Sequence, residues 1–309
     1  MLDFDAIAKK CNLFDETDVD KVISNICALD NEYSKEDLVE IYNYILTVSK
    51  KPEILMNVIR QADRFRFKST FSVMLDLLLM KNETQDIHLR EKFVSVRSMC
   101  AKAIANYKDT DAVTPLLYCL NNKDEHYKVR LSCADALGKI GDKYAVAPLI
   151  EVMKDEEEKS VYLRESAASA LGLIGDMRAL DPLVSILETK QGLMNKFTFL
   201  KERVIEALTK LRLDDNDRVF HALKSSLSDE SVQVRINAIE ALMESNHPEA
   251  VQTIKTCLDD NDEEVRKNAL IALYNIEGRD ILDEVISLPV YHQSLKEEAK
   301  FMIEEYEDD

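Results

Sequence analysis

Histidines, cysteines and regularly spaced arginines are the side chains here that could do chemistry. The five histidines are His88, His126, His221, His247 and His292. None shows the H-x-x-x-H or H-E-x-x-H spacing that sets ligands for a divalent metal on one helix face. The six cysteines, Cys11, Cys27, Cys100, Cys119, Cys133 and Cys257, include no C-x-x-C pair. Reduced thiols in a cytoplasmic protein are the expectation. A catalytic cysteine needs a thiolate held beside a base. Cys100 and Cys133 instead fall at a recurring position that Ala167 and Ala238 fill elsewhere, which marks them as small core residues. No P-loop, nucleophile elbow or G-x-G-x-x-G occurs. No catalytic residue, metal or cofactor is assigned.

Two constellations remain. The first is a series in which an acid precedes an arginine by six residues: Asp124 and Arg130, Asp229 and Arg235, Asp260 and Arg266, with Arg164 at the same register. Such acids can cap a helix or pair with an arginine of an adjacent unit, and a ladder of these pairs holds units in register. The second is Arg60-Gln61-Ala62-Asp63-Arg64-Phe65-Arg66-Phe67-Lys68. Its cations Arg60, Arg64, Arg66 and Lys68 are a candidate anion contact, since alternating cations and aromatics can hold phosphates and stack bases. A solvated loop, or a partner for nearby acids, is the preferred reading.

The elements that position these residues come from an internal repeat. Starts of one phrase fall at Val96-Arg97, Val129-Arg130, Leu163-Arg164, Leu200-Lys201, Val234-Arg235 and Val265-Arg266, with a weaker match at Leu295-Lys296. The steps are 33, 34, 37, 34, 31 and 30 residues. Within each phrase, apolar residues at i, i+4, i+7 and i+8 form one helical stripe, as in Val129, Cys133, Ala136 and Leu137. A helix with an early proline precedes several of them, at Pro115, Pro148 and Pro182. Gly141 and Gly175 read as left-handed caps. Each unit is therefore a helical hairpin, and a stack of such units gives a long surface rather than one enclosed core.

This pattern resembles the HEAT repeat, in the variant associated with phycobilisome lyases, from about Ser95 to Gly278. The resemblance implies an all-α, right-handed α-α superhelix whose Val-Arg helices line the concave side. It also raises two enzymatic branches. Deoxyhypusine hydroxylases carry His-Glu pairs on such helices to hold two irons, and no His-Glu pair occurs here. Phycobilin lyases need a pigment-sized pocket that nothing in this sequence marks.

The chain divides into diverged helical hairpins over 1–90, regular repeats over 91–278, and a capping helix with an acidic tail over 279–309. Ser34 with Asp37 predicts a capping box, and helices are expected at 37–49, 52–61 and 70–80. Loops at 155–160 and 188–199 lengthen consecutive units and are candidate functional segments.

Net charge is −18 over 309 residues, with +3 in residues 51–100 and −10 in 251–309. Such a surface argues against free nucleic acid as the partner. No run of about 18 apolar residues predicts a membrane span, and the acidic start is unlike a secretory signal. The reading is a non-enzymatic helical-repeat scaffold that binds a protein or peptide with a basic segment through its concave face. The alternatives are an enzyme or accessory subunit, such as a chromophore lyase-like or tRNA-modification factor, and a nucleic-acid-binding repeat protein. The residue five after each arginine should point off the packed stripe. That predicts a partner face of Lys102, Asp135, Ser169, Glu206, Glu240 and Ile271, with Lys139 and Glu244 beside it.

Overall fold

The computed structural model describes residues 2–14, 17–81, 84–188, 198–211 and 216–306. It is all-α: the described residues hold eighteen α-helices, short 3₁₀ turns and no strand. Among them, no helix is long and apolar enough to cross a membrane. The chain divides into two units, residues 1–149 and 150–309.

Unit 1 contains α1 (Phe4–Cys11), α2 (Val19–Ala28), α3 (Lys35–Val48), α4 (Pro52–Asp63), α5 (Lys68–Leu79), α6 (Ile87–Ala105), α7 (Val113–Asn121) and α8 (Tyr127–Ile140). Odd and even helices pair as hairpins; α1, α3, α5 and α7 follow one another in one layer and α2, α4, α6 and α8 in a second. Within unit 1 this alternation runs unbroken from the first helix. Ser34 caps α3 as expected, its hydroxyl accepting from the Asp37 N–H at 3.2 Å; it donates to the Asp37 carboxylate at 2.8 Å, in place of the reciprocal backbone bond of a capping box.

Helix α9 (Val146–Lys154) carries the boundary between the units. Unit 2 continues with α10 (Val161–Ile174), α11 (Leu180–Glu188), α12 (Thr198–Lys210), α13 (Asp217–Ser226), α14 (Val232–Glu244), α15 (Ala250–Lys255), α16 (Glu263–Glu277), α17 (Asp280–Ser287) and α18 (Gln293–Tyr306). The Val-Arg helices α10, α12, α14, α16 and α18 pack in that order as one layer.

The hairpins have repeated local causes. Gly141 and Gly175 end α8 and α10 in the left-handed region, at φ +81° and +69°, where a side chain would be strained. The following aspartates, Asp142 and Asp176, each take a backbone N–H two residues on, at 2.8 and 3.0 Å. The prolines sit third in α7, α9 and α11, before any helical N–H is required. The apolar stripes are then fully buried in each unit: Val129, Cys133 and Leu137 in unit 1, and Leu163, Ala167 and Leu171 in unit 2. Small residues let the Val-Arg helices come close, most of all at Gly172, where an added Cβ would lie 2.7 Å from the Ala207 Cα.

Candidate protein-binding face

The repeated arginines are tied into the stack from within. Their guanidinium groups donate to backbone carbonyls of their own hairpin: Arg97 to Leu78 at 2.7 Å, Arg130 to Leu120 at 2.8 Å, Arg164 to Met153 at 2.8 Å, Arg235 to Asp229 at 2.9 Å and Arg266 to Asp260 at 2.7 Å. Several also reach a carboxylate in the next hairpin. In unit 1, Arg97 makes a bidentate pair with Glu125 at 3.0 and 2.5 Å. In unit 2, Lys201 pairs with Asp229, and Arg235 pairs bidentately with Asp260 at 3.0 and 2.9 Å. Asp229 and Asp260 thus face the cation of the preceding unit. Asp124 does not take this place. It is exposed, and its neighbour Glu125 makes the pair. The helix caps also fall elsewhere, on His126, Ser160, Ser231 and Asp262.

Arg164 is nearly water-free, and burial lowers its pKa from the usual arginine value, opposed by Glu156, Asp155 and Glu158. The 155–160 loop therefore supplies negative charge to a buried guanidinium. Of the 188–199 loop, residues 189–197 lie outside the described residues.

The basic segment is largely engaged internally. Arg64 pairs with Asp30 at 2.9 Å and lies 5.4 Å over the Phe65 ring. Lys68 lies 3.8 Å from Asp109 and 4.0 Å from Asp111. Phe65 stacks toward Tyr42. Arg60 and Arg66 are exposed. The segment spans the end of α4 and the start of α5, with Arg66 at φ +54° in the turn.

The cysteines sit where the repeat places them. Cys100 and Cys133 are fully buried, and burial pushes the Cys100 thiol well above its ordinary value.

The outer stripe of each Val-Arg helix follows from helical geometry. Positions one before, two after, six after and ten after the phrase's first residue are spaced i, i+3, i+7 and i+11, on one face. In unit 1, Lys102 and Lys139 on this stripe are exposed and Asp135 is half-buried. In unit 2, the position six residues on gives Ser169, Glu206, Glu240, Ile271 and Phe301 on successive helices; Ile271 and Phe301 are exposed at 42% and 56%.

An open groove of about 430 Å³ lies between α12 and α14, lined by Ile205, Glu206, Lys210, Asn237, Glu240 and Glu244, among others. It brings together three of the predicted carboxylates. Glu206 is engaged: Lys210 at 2.7 Å and Arg203 at 2.6 Å hold it below the usual carboxylate range. Glu240 and Glu244 are exposed and have no ion-pair partner among the described residues.

Four further residues share this stripe, among them Phe199, which the sequence assigns to the 188–199 loop and the structure places on α12. Tyr162 and Phe199 occupy the first stripe position of α10 and α12 and are 66% and 61% exposed. One turn on, Glu165 and Glu202 are half-buried, and burial raises the carboxyl pKa of both. The i, i+3, i+7 and i+11 spacing of the full stripe is the sequence signal that marks them.

Comparison with known proteins follows the same pattern. A family model described as HEAT repeats matches residues 84–161, 123–194 and 220–288, over half the chain. No curated protein matches. Among solved structures, the chain is similar to the complex of CpcE and CpcF of phycocyanin lyase from Nostoc sp. PCC7120, at 22% identity and TM-score 0.45 over 74% of this chain and 85% of that one. It is similar to human deoxyhypusine hydroxylase in complex with glycerol, at 16% identity and TM-score 0.36 over 89% and 96%. It is also similar to a Kap121p mutant, at 16% identity and TM-score 0.58, covering 96% of this chain and 37% of that one. This last likeness is one of fold, and this chain spans little more than a third of Kap121p.

Proposed function

The chain belongs to the HEAT-repeat family, and from that premise we propose that it is a non-enzymatic scaffold that captures a protein or peptide partner on the outer stripe of its Val-Arg helices. The observation that carries this is the groove between α12 and α14, where Glu240 and Glu244 stand exposed and unpaired among the described residues while the ladder carboxylates Glu125, Asp229 and Asp260 are taken up by internal cations. A surface with free carboxylates and a net charge of −18 suits a partner segment rich in lysine or arginine. We place the site in the regular repeats, with residues 1–90 as diverged repeats of the same stack.

A nine-residue Gly/Ser peptide carrying three lysines tests this by titration calorimetry at about 50 mM salt, where exposed charges are least screened. Reversing both charges, Glu240→Lys with Glu244→Lys, should weaken binding about tenfold, on the order of 1 kcal/mol or somewhat more for two exposed charges. Unchanged affinity in the double variant would remove this groove as the docking face.

A further inference from the structure

We infer that the N-terminal end of the α10–α12 face seats an arginine side chain of the partner, its guanidinium over Tyr162 and Phe199 and donating to Glu165 and Glu202; this rests on the reading above that the stripe binds a protein. Tyr162 and Phe199 hold the same repeat position on neighbouring helices, and both rings are open to solvent. At that position α14, α16 and α18 carry Gln233, Glu264 and Ser294 instead. The aromatic pair is thus confined to two units that pack so closely that Gly172 admits no side chain against Ala207.

One turn on from the rings, the Glu165 carboxylate is poorly satisfied. The Glu165 Oε1 is shielded from water and accepts no hydrogen bond. Burial raises the carboxyl pKa of Glu202, and the charge of Glu165 adds to that effect. Arg203 is the nearby cation that opposes it, yet its guanidinium is bonded to Glu206 at 2.6 Å. A half-buried acceptor left without a donor carries a desolvation cost that a ligand can relieve.

The chemistry selects the occupant. It must bring positive charge, donate to carboxylates on two helices, and lie flat on an aromatic face. A guanidinium does all three: it is planar, forks to carboxylates, and stacks on rings. An ammonium is a compact, strongly hydrated charge without a plane to stack. Two carboxylates are too few to replace the shell of a divalent ion.

The probes are the three-lysine peptide above and its three-arginine counterpart, and the readout is the ratio of their affinities. Overall attraction to an acidic protein cancels in that ratio. The wild-type chain should prefer arginine by about fivefold or more. The preference should fall to about one in Tyr162→Ser with Phe199→Ser, exposed positions whose loss leaves the core intact, and also in Glu165→Gln with Glu202→Gln. Glu240→Lys with Glu244→Lys should weaken both peptides alike and keep the ratio. A wild-type ratio near one, or a preference that survives both the aromatic and the carboxylate substitutions, overturns the arginine seat. The absolute affinity of the Glu240 and Glu244 variant tests the earlier reading separately.

Discussion

Replacing Gly172 by alanine sets two effects of known sign against each other. In a helix, alanine is favoured over glycine by about 0.8–1.0 kcal/mol. At Gly172 of α10, however, the new Cβ would lie 2.7 Å from the Ala207 Cα, 2.9 Å from its Cβ and 3.3 Å from its carbonyl oxygen. Carbon atoms pack at about 3.5–4.0 Å, so the overlap is roughly 1 Å. It falls on the α12 backbone, which cannot rotate away as a side-chain tip could. Overpacking of this kind costs about 1–3 kcal/mol, and a backbone collision belongs near the upper end. The net expectation is a loss of about 1–2 kcal/mol. Because stacked units contact only their neighbours, the loss should concentrate in α10 and α12. Amide hydrogen exchange of the two helices, with urea unfolding alongside, reads it. Gly175→Ala is the contrast: nothing lies within 4 Å of its Cβ, and its cost of about 1 kcal/mol comes from a φ of +69° alone. If Gly172→Ala instead raised stability by the propensity difference, the close-approach argument would be refuted.

Other expectations follow from the same structure. Arg235→Met strands the Asp260 carboxylate and the Asp229 carbonyl in a site where the paired side chains are only 12% and 15% exposed, so it should cost about 2–4 kcal/mol, read as a lowered melting temperature; a change within a few tenths would show that the pair does not pin register. Glu165 and Glu202 have raised folded-state pKa values, so their share of stability is full below the ordinary carboxylate pKa and is lost as pH rises through the folded value. Glu165→Gln with Glu202→Gln should therefore stabilise the chain at pH 7, with the gain vanishing in acid; equal melting curves at both pH values would contradict this. Glu206 has the opposite sign: Lys210 lowers its pKa, so its contribution is present above the ordinary carboxylate pKa and lost as pH falls through the lowered one, and Lys210→Ala should move its NMR titration midpoint upward. Cys100 and Cys133, fully buried, should resist alkylation until urea unfolds the stack; rapid labelling of the native chain would contradict their core placement.

The repeat itself was legible because one physical requirement recurs. Every Val-Arg helix must bury the same stripe against the same neighbours, so Ala136, Ala170 and Ala241 repeat along with Gly141 and Gly175 at the turns. The first eighty residues show no such phrase, yet α1 to α5 alternate between layers as the later helices do. Packing needs only apolar stripes of suitable width there, and residues such as Ile26, Tyr42, Ile59 and Met74 meet it without resembling the phrase. The acid of the ladder was harder to assign. Asp124 stands six before Arg130, as Asp229 stands before Arg235, but Glu125, one position later, makes the pair with Arg97. Sequence spacing counts residues along the chain, whereas an ion pair depends on where the loop places the carboxylate. Glu165 and Glu202 escaped notice for a related reason: two acids on an outer stripe read as solvated until the close approach of α10 and α12 half-buries them.

Structural and recognition roles in this chain use the same side-chain types, and the difference between them is saturation. Glu125 and Asp260 each face an arginine that also holds a backbone carbonyl, and Asp229 faces Lys201. Pairs so enclosed have little left to offer a partner, and removing either member leaves a buried charge. Glu165, Glu202, Glu240 and Glu244 sit on the outer stripe of α10, α12 and α14, where the repeat demands nothing of them. Glu165 has an oxygen shielded without a donor, Glu202 is half-buried, and Glu240 and Glu244 are exposed without cations among the described residues. A stack held by such enclosed pairs can vary its outer stripe at little cost to register, because those contacts are ones that the stripe does not share. Binding capacity then lies in those departures from the repeat, and the aromatic pair at Tyr162 and Phe199 adds a geometric requirement that charge alone would not impose.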